Sequence, residues 1–488
     1  MNYRTPESQG VDSRNILAYV KMLEENHVVT HDIIIARGNN ILYEDFRPPF
    51  TPDFCHRMYS VTKSIVAIAA GFAWQEGLLD LDKPVTYYFE KELEGQTDEN
   101  MRSQTIRNML MMSTAKPSEN WFTARTDDRV RFYFQNKRPQ TRKPGTIFEY
   151  DSTGSFVVGA LVERVTGQLL MDYLRSRLFD KIGVSDSIRC LVSPGGHSWG
   201  DSAMLARPHD LLLIARFMLN GGSWNGEQLL DAGYVREATS KLIDTGNPAE
   251  KRFDGMGYGY LIWKCYGEGF FFNGMGCQFA VCIPERDMIL IFNGDNQGNE
   301  KAKYLIWDGF YDMIAMPAGD QLNENPEAQK ALADYIAPLK LRAAWGETDS
   351  PIAEKISGVE YKLNENPMGI TRFRLTIENG EGRFDYTNAQ GDKSIAFGMC
   401  ENRFGEFPQK GYSDLVGSQP GNRLYKCAAS AAWKEENLLD LKIQIIDDYF
   451  GNMDALFTFD GDNVKVVMTK SAEDFLEEYK GQAVGHKA

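Results

Sequence analysis

The sequence predicts an α+β fold: an antiparallel sheet flanked by helices, with an inserted helical lobe, and a C-terminal all-β, barrel-like domain. Three observations predict it. Strand patterns occur around residues 33–43 and return over 258–292, the chain between them has mostly helical periodicity, and beyond about residue 350 strict alternation takes over. A chain of 488 residues with 43% hydrophobic content is too long for one ordinary core. The expected division is a first domain over 1–318, a linker with a short helix over 319–349, and a β-rich accessory domain over 350–488.

Taken in order, Asp12 or Ser13 caps a first helix whose apolar positions Ile16, Leu17, Val20 and Leu23 fall on one face. Ile33 to Ala36 and Ile41 to Tyr43, separated by Gly38-Asn39-Asn40, read as a β-hairpin. The run Ser64-Ile65-Val66-Ala67-Ile68-Ala69-Ala70 is apolar on every face and reads as a core helix. Helical patterns then cover Ile106 to Met111, Phe156 to Val165, Leu169 to Leu178 and Leu211 to Leu219, with His209 and Asp210 capping the last. Strand signals return at Tyr258 to Cys265, Phe270 to Phe272, Gln278 to Ile283 and Met288 to Phe292, followed by helical spacing over Lys301 to Ile314. Alternating segments such as Arg372 to Ile377, Arg383 to Tyr386, Leu439 to Ile443, Ala455 to Phe459 and Val464 to Val467 make the β module.

Composition narrows the function. Net charge is −15, from 53 basic and 68 acidic residues without long single-sign blocks, which opposes binding to nucleic acid or an anionic membrane. The seven cysteines contain no Cys-x-x-Cys pair and no histidines at zinc spacing, so they read as reduced thiols, with no metal or cofactor expected. The first residues lack the apolar stretch of a secretion signal, so a cytoplasmic location is expected. A small-molecule substrate is the class left open.

The chemistry starts at Ser60-Val61-Thr62-Lys63. One helical turn separates a hydroxyl from an amine, and burial of the amine disfavours its charged form, so the pair supplies a nucleophile and its base. The same spacing recurs at Ser113-x-x-Lys116, but Pro117 biases Lys116 away from the helical region. Tyr150, after the turn at Pro144-Gly145, can relay a proton with Lys63, and Ser152 can hydrogen-bond a substrate or cap the helix that follows. In Phe272-Asn273-Gly274-Met275-Gly276-Cys277-Gln278, two glycines let a ligand approach the main chain; the backbone N–H groups of Ser60 and Met275 can then form an oxyanion hole. Trp121, in a loop between helices, is a candidate for lining the cleft with Asn273 and Phe272.

Ser60-x-x-Lys63, Tyr150-x-Ser152 and the glycine-bearing strand, in that order, resemble the class C β-lactamase and penicillin-binding-protein superfamily of serine hydrolases. Pro6 to Asp12, Thr105 to Leu110 and Ala206 to Leu211 support the resemblance, which covers residues 5 to 315. It implies an acyl-enzyme, with Ser60 as nucleophile, Lys63 and Tyr150 as acid/base partners and the Ser60 and Met275 amides as oxyanion donors. The third motif of the β-lactamases opens with lysine, which recognises a substrate carboxylate; Phe272 stands at the matching position here. The branch resembling 6-aminohexanoate-dimer hydrolase and related esterases fits better, and implies a small ester or amide substrate. Three alternatives accompany this reading: a β-lactamase or D-amino-acid peptidase of the same superfamily, an α/β-hydrolase using Ser198 in Gly196-His197-Ser198-Trp199-Gly200, and a non-catalytic binding or sensor protein on the same fold.

Overall fold

A computed structural model describes residues 1–246, 255–412, 423–472 and 476–488, and these fall into two compact units, Met1–Lys340 and Leu341–Ala488. The first unit opens with β1 (Asn2–Tyr3) and α1 (Ser13–Glu25), whose N-cap is Asp12 accepting from the Arg14 amide. The hairpin β2 (Asp32–Arg37) and β3 (Asn40–Phe46) follows, then the short strand β4 (His56–Arg57) and the buried helix α2 (Val61–Gln75).

The lobe comprises α3 (Glu99–Ser103), α4 (Ile106–Leu110), α5 (Arg129–Gln135), α6 (Ser152–Thr166), α7 (Leu170–Leu174) and α8 (Asp180–Ile182). Strands β5 (Arg189–Cys190) and β6 (Met204–Ala206) come next, then α9 (Pro208–Leu219), the hairpin β7 (Ser223–Trp224) with β8 (Glu227–Gln228), and α10 (Ala232–Thr239). The late strands are β9 (Trp263–Lys264), β10 (Phe270–Gly274), β11 (Gln278–Ile283) and β12 (Met288–Asn293), and α11 (Ala302–Phe310) and α12 (Pro326–Ile336) close the unit.

Early and late strands share one seven-stranded sheet in the order β1-β3-β2-β12-β11-β10-β9. It is antiparallel except at its edge, where β1 runs parallel to β3. Alternation divides its two faces. Ile33, Ile35, Phe271, Phe279, Val281, Leu290 and Phe292 form one core with α1 and α11, while the other face meets α9 and α2.

Two expectations change. The strand read over Tyr258 to Cys265 shrinks to β9, because Leu261 takes a left-handed φ of 52° and bonds to Ser64 and Leu110, which leaves Tyr258 with isolated bridges to Ile243 and Trp263. The stretch read as linker is largely folded onto the first unit. The Leu322 amide donates to the Glu7 carbonyl at 2.8 Å, Gln329 donates to the Glu7 carboxylate at 2.8 Å, and Leu332 of α12 is buried in the α1 core.

The second unit is a closed barrel. Its strands are β13 (Glu360–Leu363), β14 (Arg372–Glu378), β15 (Glu381–Asn388), β16 (Gly391–Met399), β17 (Arg403–Phe407), β18 (Tyr425–Glu435), β19 (Leu438–Ile446), β20 (Phe450–Asp460), β21 (Asn463–Ser471) and β22 (Gly481–Lys487). The order β16-β15-β14-β13-β22-β21-β20-β19-β18 closes through parallel pairing of β16 with β18 at Gly398–Ser430 and Met399–Ala431, and β17 adds to β18. Phe373, Phe384, Tyr386, Trp433, Phe457 and Tyr479 fill its interior.

Because α12 covers α1, a chain ended at Lys340 should unfold at a higher temperature than one ended at Pro317. Thermal unfolding followed by circular dichroism measures this; equal midpoints would remove α12 from the core.

Candidate active site

The site is built at the start of α2, where a short strand delivers the chain to the helix. β4 pairs with β6, and the Met58 amide continues the ladder by donating to the Met204 carbonyl at 2.8 Å. Tyr59 then takes a left-handed φ of 43°, a costly conformation for a residue with a side chain, and the turn sets Ser60 at the N-cap. Thr62 holds this bend from within: its hydroxyl donates to the Tyr59 carbonyl at 2.6 Å and accepts the Met204 amide at 3.0 Å.

Lys63 points back along the helix to Ser60, and its Nζ donates to Ser60 Oγ at 2.9 Å. The side chain is buried, with 1% of the residue exposed, and its second partner is the carbonyl of Asp201, on the loop before β6. Tyr150 borders the same amine: Lys63 Nζ lies 5.1 Å from the centroid of its ring. Tyr150 is 37% exposed and stacks on Trp263 of β9 at 5.8 Å. Among the described hydrogen bonds, the Tyr150 hydroxyl makes none to Ser60 or Lys63.

Ser152 is the first residue of α6 and half-buried, but it does not cap that helix. Asp151 does, accepting from the Gly154 amide at 2.9 Å and the Thr114 hydroxyl at 2.7 Å. Asp151 occupies the N-cap position, one residue before the helix begins, where a side-chain oxygen can reach the amides of the first turn.

β10 brings the other wall. A Cβ at Gly274 would lie 2.4 Å from the Met58 carbonyl oxygen, so only glycine permits the strand to pass this close to the approach to Ser60. Asn273 is half-buried beside it. Past the strand end, Gln278 Nε2 donates to the Met275 and Gly294 carbonyls, which fixes the peptide planes of the turn. Among the described hydrogen bonds, the backbone N–H groups of Ser60 and Met275 donate to no protein acceptor. Cys277 adopts φ 74°, a conformation that favours glycine. Its thiol is buried, and burial pushes its pKa up, which keeps it protonated.

Two residues expected to line the cleft do not reach it. Phe272 of β10 is 0% exposed, and Trp121 is 2% exposed, with its indole N–H turned onto the Asp201 carboxylate at 3.2 Å. Both side chains are too apolar to stay in water when a core face is available.

The competing motifs separate clearly. Ser113 donates to the Asn108 carbonyl while Lys116 donates to the Pro139 carbonyl, so they do not meet. Ser198 is 2% exposed on the loop between β5 and β6, not at a strand-to-helix turn, and its neighbour His197 pairs with Glu163 at 2.8 Å. This removes the α/β-hydrolase reading. His209 pairs with Glu44 at 3.1 Å, and Asp210 accepts the Ser185 amide at 2.7 Å as well as meeting the N-terminus of α9.

Sequence reasoning missed Asp201 and Trp263. Neither lies in a motif, and each reaches the site by tertiary packing alone. Among the described residues no His, Cys, Asp or Glu cluster could hold a metal ion, and no helix is long and apolar enough to cross a membrane.

Comparison with known proteins bears on the family and on the fold of the first unit. The Beta-lactamase family model matches residues 21–309. A 6-aminohexanoate-dimer hydrolase of Paenarthrobacter ureafaciens is 27% identical over 42% of this chain and 56% of its own length. A lovastatin esterase of Penicillium rubens is 27% identical over 31% of this chain and 44% of its own. The chain thus spans about half the length of the curated relatives it matches. A solved structure described as a putative 6-aminohexanoate-dimer hydrolase from Bacillus anthracis superposes with a TM-score of 0.54 at 14% identity, over 64% of this chain and 85% of that one. EstCE1, described as a hydrolase with promiscuous acyltransferase activity, superposes with a TM-score of 0.51 at 15% identity, over 61% of this chain and 99% of that one. These structures share the fold of the first unit.

Gly274→Ala should force β10 away from Met58, at a cost of about 1–3 kcal/mol in stability, and lower any activity at Ser60 with it. Denaturant unfolding of the variant, with activity measured in parallel, checks this; an unchanged protein would show that the close approach is not needed.

Proposed function

The chain belongs to the beta-lactamase family, and on that premise we propose that it is a serine hydrolase forming an acyl-enzyme on a small ester or amide. The observation that carries this reading is the buried amine of Lys63, 2.9 Å from the half-exposed hydroxyl of Ser60. Ser60 Oγ attacks the substrate carbonyl carbon as its proton passes to the Lys63–Tyr150 pair. The tetrahedral oxygen takes up the Ser60 and Met275 amides, which have no protein acceptor among the described bonds. The proton then returns to the leaving alcohol or amine, and water attacks the ester by the same route in reverse. Ser152 and Asn273, both half-buried beside these groups in sequence and fold, are the polar contacts available to a substrate.

The substrate is neutral at the position where a β-lactam carries its carboxylate. Phe272 supplies no cation there, and its side chain is fully buried. The curated relatives are named a 6-aminohexanoate-dimer hydrolase and a lovastatin esterase, which supports hydrolysis of a small ester or amide. The exposed face of the Tyr150–Trp263 stack, with Ile147 exposed nearby in the chain, offers an apolar surface for an acyl group.

Ser60→Ala should abolish hydrolysis of p-nitrophenyl butyrate and the acyl adduct seen by intact mass, a loss of about 10⁴-fold or more. Ser198→Ala should leave both intact. The ester should also be turned over at least about a hundred-fold faster than nitrocefin, because one missing charge-assisted contact is worth that much. Efficient nitrocefin cleavage would replace the esterase reading with a β-lactamase one.

A further inference from the structure

Lys63 has a second hydrogen-bond partner that no motif contains, and that partner is itself held by a buried cluster. The Asp201 carbonyl accepts from Lys63 Nζ, while the Asp201 side chain, wholly buried, turns the other way. Its Oδ2 accepts the Trp121 indole N–H at 3.2 Å, and its Oδ1 accepts the Ser202 hydroxyl at 3.2 Å. The Trp121 carbonyl in turn accepts from the Arg129 guanidinium, which also donates to the Ala124 carbonyl at 2.9 Å. That guanidinium lies over two indole rings, 5.0 Å from Trp121 and 4.7 Å from Trp199. Burial pulls the Arg129 pKa down, and the Asp201 charge pushes it back up.

The backbone around Asp201 is equally constrained. The Ser202 and Ala203 amides both donate to the Trp199 carbonyl, which folds residues 199–203 into a tight turn. A Cβ on Gly200 would lie 3.0 Å from Val66, one helical turn beyond Lys63, so this turn rests directly on α2. The turn has one residue whose carbonyl meets the base and whose side chain meets the lobe.

We infer that Asp201 is a positioning residue for Lys63, clamped by the Trp121 indole so that its carbonyl holds the amine in line with Ser60. The inference rests on the assignment of Ser60 and Lys63 given above. Without the second acceptor, a flexible four-carbon side chain has several rotamers open to it, and only one returns Nζ to Ser60 Oγ. The link also makes the lobe segment around residues 121–129 part of the base's support, although none of its side chains named here touches the substrate.

The test uses the full chain and p-nitrophenyl butyrate. Trp121→Phe, which keeps an aromatic ring but loses the clamping N–H together with part of the indole, should lower kcat about 10- to 100-fold with KM within about two-fold, since displacing a catalytic group by about 1 Å has that effect. Asp201→Ala should do the same, while Asp201→Asn, which keeps an oxygen for the indole, should stay within about five-fold of the parent. The decisive measurement is a double-mutant cycle against Lys63→Ala, reading residual acylation by intact mass over hours. Trp121→Phe should cause no further loss in that background, because its effect runs through Lys63. Equal losses in both backgrounds, or no loss in either, would overturn the inference. If Ser60→Ala stays active, the assignment of the site fails and the inference with it; if Ser60→Ala is inactive and Trp121→Phe is unimpaired, the inference alone fails. Thermal melting of each variant separates misfolding, and Trp121→Phe serves where Asp201→Ala does not fold.

Discussion

Keeping an amine inside a protein core is the constraint on which the first unit depends. Lys63 stands among residues of α2 that are buried on every side, and a polar group there without partners costs several kcal/mol. The fold meets that cost with two acceptors from different places, Ser60 Oγ from the same helix and the Asp201 carbonyl from the loop before β6. One acceptor is local and follows from helical geometry. The other requires β4 and β6 to be paired, α6 and the 199–203 turn to lie against α2, and the lobe to be folded over both.

Close approach of backbones is what makes this arrangement possible. Gly274 lets β10 pass the Met58 carbonyl, Gly200 lets a turn rest on Val66, and Gly159 of α6 sits against the same Val66 and near the Gly200 Cα. Each is a place where a side chain would hold two elements apart. With those gaps closed, two side chains hold the neighbouring backbone: Thr62 braces the bend before Ser60, and Gln278 braces the turn at Met275. A site made this way is carried by helices and strands, with little freedom to drift.

The second unit follows a different rule. Its strands alternate inward and outward, and its interior is filled by aromatic side chains, with the Tyr386 and Tyr479 hydroxyls paired at 2.8 Å and Tyr479 donating to Gln409 at 3.0 Å. Closure between β16 and β18 satisfies sheet edges that would otherwise be open to pairing with another chain. The filled interior gives this unit a hydrophobic core of its own, independent of the one around α1.

Much of this was legible in the sequence because it is local. Period determined the elements: the apolar face of α1, the hairpin of β2 and β3, the all-round apolar α2 and the alternating strands of the barrel. The spacing of Ser60 and Lys63 placed both on one side of a helix before any fold was known. What the sequence left open depends on partners far away along the chain. Trp121 and Phe272 read as cleft residues because an aromatic loop and a strand edge look alike whether they face solvent or core; tertiary packing turned the Trp121 indole onto Asp201 and buried Phe272 completely. Asp201 had no signal, since it meets Lys63 through a carbonyl, which every residue has, and its carboxylate meets Trp121, 80 residues away in the chain. The strand expected at Tyr258 to Cys265 yielded to a bend at Leu261, whose backbone bonds reach Ser64 and Leu110. By itself, then, the sequence determined that Ser60 and Lys63 lie one helical turn apart and how the chain alternates, because both are set within a few residues; which groups share a pocket was decided only by the tertiary structure, because burial and backbone contact join segments that the sequence separates by tens to hundreds of residues.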